Sequence, residues 1–335
     1  MIDKNTKDFI KQMPKIELHL HLDGSLNIDL IKKKYNLTDE EVKQKLIADE
    51  ECIDLNSYLT KFEYSISIMQ TKEELVDVTY NLLNRLKEQN VIYVEIRFAP
   101  QFHTKKGLTQ EEVVSAILEG KSKVDIKSNV ILCIMRGQEN EEENYETINI
   151  AKKYLGKGIV AVDLAGAESI FKTEDYEEIF KYVKKIELPY TIHAGEADGP
   201  ESIKSAIKFG ATRIGHGVRV VEDEDLIKVI KSKEVILEVC PTSNIQTCIF
   251  KDYTSHPLEM LYNQGVITTI NTDNMTVSNT TLENEYMKII ENTNLTIEDL
   301  VEMNKNSIKA AFLDKSEKLE LLREIDKYVE KLGGV

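Results

Sequence analysis

Eight short runs rich in Val, Ile and Leu recur along this chain, and each is followed by helical sequence. They cover Ile16 to Gly24, Val91 to Ala99, Asn129 to Arg136, Gly158 to Gly166, Tyr190 to Gly195, Thr212 to Gly217, Val235 to Cys240 and Val266 to Thr272. Runs this apolar suit strands covered on both faces, the situation in a parallel sheet. Between them the apolar spacing predicts helices, among them Asn27 to Leu37, Asn140 to Leu155, Glu174 to Ile186, Pro200 to Gly210 and Asp223 to Lys231. Further helices are expected near Pro257 to Gln264, from Thr281, and from Thr296 to the end. Thr38, Thr71 and Thr109 each stand three residues before a Glu, the form of a capping box. Eight consecutive βα units predict a closed (β/α)8 barrel with additional helices. With no Pro- or Ser-rich linker, residues 1–335 are expected to form a single domain. A doubly wound sheet would carry G-x-G-x-x-G after its first strand; His21-Leu22-Asp23-Gly24 stands there instead.

Charge and cysteine content narrow the function. The 335 residues carry a net charge of −15, which argues against nucleic acid or an anionic membrane surface as partner. Cys52, Cys133, Cys240 and Cys248 are far apart with no C-x-x-C, which fits reduced thiols in the cytoplasm. The stretch Met1 to Met13 is polar, with no apolar signal core, and no run is long enough to span a bilayer. A cytoplasmic protein is expected, as a monomer or weak homo-oligomer acting on a small molecule.

In a barrel of this kind, reactive groups belong at the C-terminal ends of the strands. The unusual polar residues fall there. His19, His21 and Asp23 end the first strand, Asp163 and Gly166 the fourth, and His193 and Glu196 the fifth. His216 ends the sixth, and Asp273 and Asn274 the eighth. Residues two apart on a strand share a face, so His19 and His21 leave side by side, about 7 Å apart. Of 6 histidines, four are in this set, while His103 and His256 read as structural. Imidazoles with one carboxylate suit Zn²⁺, and His19, His21, His193 and Asp273 would supply the ligands. An ion held this way brings the pKa of a water to about 7. Glu196 is placed to handle protons, and His216 to take the water's proton or to stabilise developing negative charge. No Lys lies near the end of the fourth strand, which favours one metal over two.

Lys15-Ile16-Glu17-Leu18-His19-Leu20-His21-Leu22-Asp23-Gly24-Ser25 resembles the opening motif of the adenosine deaminases. The resemblance continues through Val162 to Gly166, Thr191 to Glu196, Arg213 to Gly217, Cys240 to Asn244 and Asn271 to Asp273. It implies a (β/α)8 barrel with one Zn²⁺ per chain that hydrolyses adenosine and 2′-deoxyadenosine to the inosine nucleosides and ammonia, in purine salvage. It assigns His19, His21, His193 and Asp273 to the metal. Glu196 would protonate purine N1, and His216 would hold and help deprotonate the attacking water. The Gly166 N–H would meet N3, Asp23 the ribose 5′-hydroxyl, and Leu55, Tyr58, Leu59 and Phe62 would form an apolar lid helix.

Two positions depart from the family pattern. Asn274 stands where a second Asp is common; its amide can donate directly to purine N7, so it reads as a functional replacement. Ala167 stands where an acidic residue is frequent. Adenine or other aminopurine deaminases are the nearest alternative, but they commonly carry Glu where this chain has Asp23, and the shorter side chain leaves room for a ribose. A non-catalytic purine-nucleoside-binding relative is the alternative from another class; no expected ligand is missing here.

Overall fold

The structure, a computed structural model, describes residues 2–48 and 54–331. Cys52 lies outside the described residues; Cys133 and Cys240 are buried thiols. Eight strands form one sheet: β1 (Lys15–His21), β2 (Val91–Phe98), β3 (Lys127–Met135), β4 (Ile159–Ala165), β5 (Tyr190–Ala194), β6 (Arg213–His216), β7 (Ile236–Val239) and β8 (Thr268–Ile270). They pair in chain order, each parallel to the next. The seam closes just past β8, where the His21 N–H donates to Asp273 O at 2.7 Å and the Asp273 N–H to His19 O at 2.9 Å. The fold is the (β/α)8 barrel that the eight repeats predict.

The helices start where their caps dictate. Thr38, Thr71 and Thr109 each accept from the backbone three residues on, while the Glu there returns the bond, and Thr296 does the same with Asp299. The stripe from Leu55 is not one helix. It forms two, Leu55–Leu59 and Phe62–Ser67, because the Thr60 hydroxyl donates to Ser57 O at 2.7 Å and competes with the helical ladder. The C-terminal segment likewise splits, into Ile297–Ala310 and Lys315–Lys331. Two short helices escaped the sequence reading: Lys4–Gln12, whose few apolar residues are set among polar ones, and Pro241–Gln246, which spans only six residues. Among the described residues, no helix is long and apolar enough to cross a membrane.

The apolar core lies between sheet and helices, in one cluster running from Phe9 to Ile325. The barrel's interior is different, because it is charged. Arg97 on β2 pairs with Asp163 on β4 at 2.7 Å and with Glu238 on β7 at 2.8 Å. Arg213 on β6 pairs with the other Glu238 oxygen at 2.7 Å and with Glu95 at 2.6 Å. All five side chains are essentially buried. Buried charges persist only when paired this closely, since the desolvation of each is severe. The two arginines hold the Glu238 carboxyl well below the usual carboxylate range, against the effect of burial.

Candidate active site

This charged floor ends beneath the histidines. Glu238 accepts from His19 Nδ1 at 2.9 Å, and Asp163 from His193 Nδ1 at 2.9 Å. A carboxylate can only accept, so each ring carries its proton on Nδ1 and turns the Nε2 lone pair upward. A second carboxylate that orients an imidazole is the usual support of a histidine metal ligand. Asp163 stays ionised with its pKa pushed down, because His193 and Arg97 outweigh its burial.

The upward nitrogens converge. His21 Nε2 lies 3.2 Å from His193 Nε2, and Asp273 Oδ1 lies 3.4 Å from the Nε2 atoms of both His19 and His21. Ligand atoms of His19, His193, His216 and Asp273 all fall within 4.8 Å of one another. His19 Nε2 is buried with no hydrogen-bond partner. A buried lone pair facing other lone pairs fits a cation and little else. Ser243 donates to the remaining Asp273 oxygen at 2.7 Å, fixing the carboxylate's rotation. His216 and Asp273 both sit in the left-handed backbone region, at φ 60° and 61°. A side chain with a Cβ pays for that conformation, and such strain concentrates where a site must be aimed.

A cavity of about 700 Å³ opens above the cluster. Its wall includes His21, Asp23, Gly166, His193, Glu196, His216, Asp273 and Asn274, with His19 buried beneath them. Leu55, Tyr58, Leu59 and Phe62 cover one side, so the broken helix pair still forms an apolar wall. The Tyr58 hydroxyl pairs with Ser278 at 2.7 Å. Asp23 Oδ1 and Asn274 Oδ1 are both buried without a partner, and burial pushes the Asp23 carboxyl up to about 7. A Cβ on Gly24 would collide with the Asn274 side chain, so only glycine lets these neighbours face the cavity together. Gly166, at φ 107°, turns the chain at the end of β4. Nothing in the structure explains Ala167, which also lines the cavity.

Glu196 faces the same space, with Oε2 3.5 Å from His216 Nε2. Burial, with Asp273 and Glu168 nearby, raises its pKa well above the ordinary value and so favours the protonated carboxyl. Its backbone is clamped by a residue that sequence reasoning missed. Glu168, buried in the loop after β4, accepts from four successive N–H groups: Gly195 at 2.6 Å, Glu196 at 3.0 Å, Ala197 at 2.7 Å and Asp198 at 3.0 Å. The Ser202 hydroxyl donates to it as well. Consecutive N–H groups curled around an anion form a nest. No local pattern marks Glu168, because its donors come from the next βα loop. Glu238 did leave a signal, as a lone charge within the apolar run VILEVC.

His103 lies apart from the cluster, its Nδ1 bonded to Met69 O at 2.9 Å, as its structural reading requires. His256 is also buried, and it reaches the site through Asn244.

Known proteins resemble this chain along nearly its full length. The family profile described as adenosine deaminase matches residues 14–328. An adenosine deaminase from Haemophilus ducreyi is 43% identical over 333 residues, covering 95% of this chain and 97% of that protein. One from Clostridium kluyveri is 41% identical, covering 96% and 95%. Among solved structures, an amidohydrolase from Burkholderia ambifaria with bound Zn superposes with a TM-score of 0.89 at 20% identity, over 99% of this chain and 96% of that one.

Proposed function

The chain belongs to the adenosine deaminase family, and from that premise we propose that its barrel mouth is a one-metal site for hydrolytic deamination of adenosine and 2′-deoxyadenosine. The reading rests on one observation above all. The buried, partnerless Nε2 of His19 meets His21, His193 and Asp273 at the C-terminal mouth of the barrel. His19, His21, His193 and Asp273 would hold the ion. Zn²⁺ is the ion this donor set suits best, and the structural neighbour from Burkholderia holds Zn. When bound, such an ion supplies Lewis acidity that brings a water's pKa to about 7.

The chain's own residues supply the rest. Glu196, protonated in its buried position, donates to purine N1, which makes C6 electrophilic. His216 faces Glu196 across the cavity and fixes the oxygen nucleophile by a hydrogen bond. The Gly166 N–H meets N3 and the Asn274 amide donates to N7. Asp23 takes the ribose 5′-hydroxyl; a partnerless carboxylate oxygen aimed into the cavity supports that role. The wall from Leu55 to Phe62 keeps bulk water from the purine face. Residues 1–335 act as one domain, and the substrate is a free nucleoside: of the described cations lining the cavity, Lys105 and Arg136, the arginine is committed to Phe171 O, Thr173 and His193 O, which leaves no cluster for a phosphate.

Metal analysis combined with an ultraviolet assay of adenosine loss tests this. His193→Ala loses the ion and activity together, whereas Glu196→Ala keeps the ion and loses turnover. A wild-type protein that converts adenine but neither nucleoside would overturn the substrate assignment. One that retains a full equivalent of metal after His193→Ala would overturn the ligand set.

A further inference from the structure

The His216 imidazole is wired in the opposite sense to those of His19 and His193. The Leu258 N–H lies 3.2 Å from His256 Nδ1. A backbone amide only donates, so His256 Nδ1 carries the lone pair. Burial pushes the His256 pKa down to about 3, so the ring is neutral and its single proton is on Nε2. That N–H points at Asn244 Oδ1, 3.3 Å away. The amide's orientation is thereby fixed, and its NH₂ faces His216 Nδ1 at 3.0 Å. An NH₂ donates, so Nδ1 of His216 accepts. The proton of a neutral His216 then sits on Nε2, the nitrogen that faces Glu196.

The relay has no slack. His256, Asn244 and His216 are all buried, and Phe250 packs edge-on against His256 with ring centres 5.2 Å apart. Asn244 opens no alternative either: its N–H donates to Cys240 O at 3.0 Å, and its own carbonyl accepts from Ile249 and Phe250. Turning the Asn244 amide over would force the His256 proton onto Nδ1, against the Leu258 N–H. His19 and His193 show the contrast, since their Nδ1 atoms face carboxylates and their Nε2 lone pairs are free.

We propose that Asn244 and His256 are positioning residues that hold His216 as its Nε2–H tautomer, so that it faces the reaction site as a hydrogen-bond donor and offers the metal no lone pair. The proposal rests on the one-metal reading above and sharpens it. Proximity alone groups His216 with His19, His193 and Asp273; hydrogen-bond polarity removes it from the ligand set. It also gives His216 one role of the two left open by sequence. It donates to the oxygen nucleophile, whose proton passes instead to the Glu196 carboxylate left when Glu196 has protonated N1.

Side-chain nitrogen NMR of ring-labelled, metal-loaded protein reads the tautomer directly, with His216→Gln used to assign the resonances. The expected result is an unprotonated, pyridine-type Nδ1 and a protonated, pyrrole-type Nε2. In Asn244→Asp the new carboxylate can only accept, so the proton moves to Nδ1 and the two signals exchange character. There kcat falls by up to about ten-thousandfold, the scale of a wrong tautomer at a catalytic histidine, while KM for adenosine changes little. A protonated Nδ1 in the wild-type protein would overturn the proposal, whether or not the Asp variant folds. Correct signals in a protein that releases no ammonia would instead refute the deaminase reading and leave the relay intact.

Discussion

Replacing Glu168 by Gln tests whether a single carboxylate aims the proton donor. Glu168 Oε2 receives the N–H groups of Glu196, Ala197 and Asp198, and Oε1 receives Gly195 and Ser202. Gln keeps one carbonyl oxygen and turns an NH₂ toward the other donors. With the carbonyl on the Oε2 side the three bonds there survive, the Ser202 hydroxyl turns to accept from the NH₂, and the Gly195 N–H is left facing a donor. Each buried donor left unpaired costs about 1–3 kcal/mol, part of it recovered as the turn relaxes. A loss of about 1–3 kcal/mol in unfolding free energy is therefore expected, readable as a shift in the denaturant midpoint. The same relaxation moves Glu196. A displacement of about 1 Å in a catalytic group costs on the order of a hundredfold in rate. The expected kinetic result is a large fall in kcat for adenosine with KM little changed, since Glu168 does not line the cavity. Glu168→Gln with wild-type kcat and an unshifted midpoint would show that the turn holds itself, and the reasoning would fail.

Other expectations are equally concrete. Gly24→Ala forces the Asn274 side chain aside, so kcat/KM for adenosine should drop at least about tenfold while the circular dichroism spectrum is retained; full activity would mean that the contact is soft. Burial holds His103 near a pKa of about 4 and His256 near about 3, below the ordinary 6.5. The unfolded chain then binds protons that the folded chain refuses, so stability present above about pH 6.5 is lost as pH falls toward 4. In His103→Asn the slope of unfolding free energy against pH should shrink by up to about 1.4 kcal/mol per pH unit over that window; an unchanged slope would place the titration elsewhere. Removing the ion with a chelator should lower the melting temperature, and adding Zn²⁺ should restore it in proportion to the logarithm of free metal. Asn274→Asp places a second carboxylate beside Asp273, and nucleoside turnover should become more dependent on protons as pH rises; a profile identical to wild type would argue against contact with N7.

The barrel was legible because its strands are local events. A run such as VIYVEIRF needs no partner to be recognised, and the observed β2 spans Val91–Phe98. Strand-end polar residues were legible for a related reason, since the fold makes every strand end a candidate. Polarity and support were not. Glu168 and Asn244 act through groups on neighbouring strand–loop segments, and His256 acts only through Asn244. His256 in particular looks structural from its surroundings, and it is structural in every contact but one. The split at Thr60 escaped because the apolar spacing from Leu55 to Ile66 continues across the break.

The seam between the first and last strands has one further consequence. β8 contributes only three residues to the sheet, and the bonds that join it to β1 are made by the backbone of His19, His21 and Asp273. Three of the four side chains proposed to grip the cation, those of His19, His21 and Asp273, thus belong to the residues that zip the cylinder shut. Loading the ion would act as a rivet through the weakest join of the wall. Amide exchange on either side of that join, slow with the ion present and quick without it, would register occupancy before any substrate is turned over.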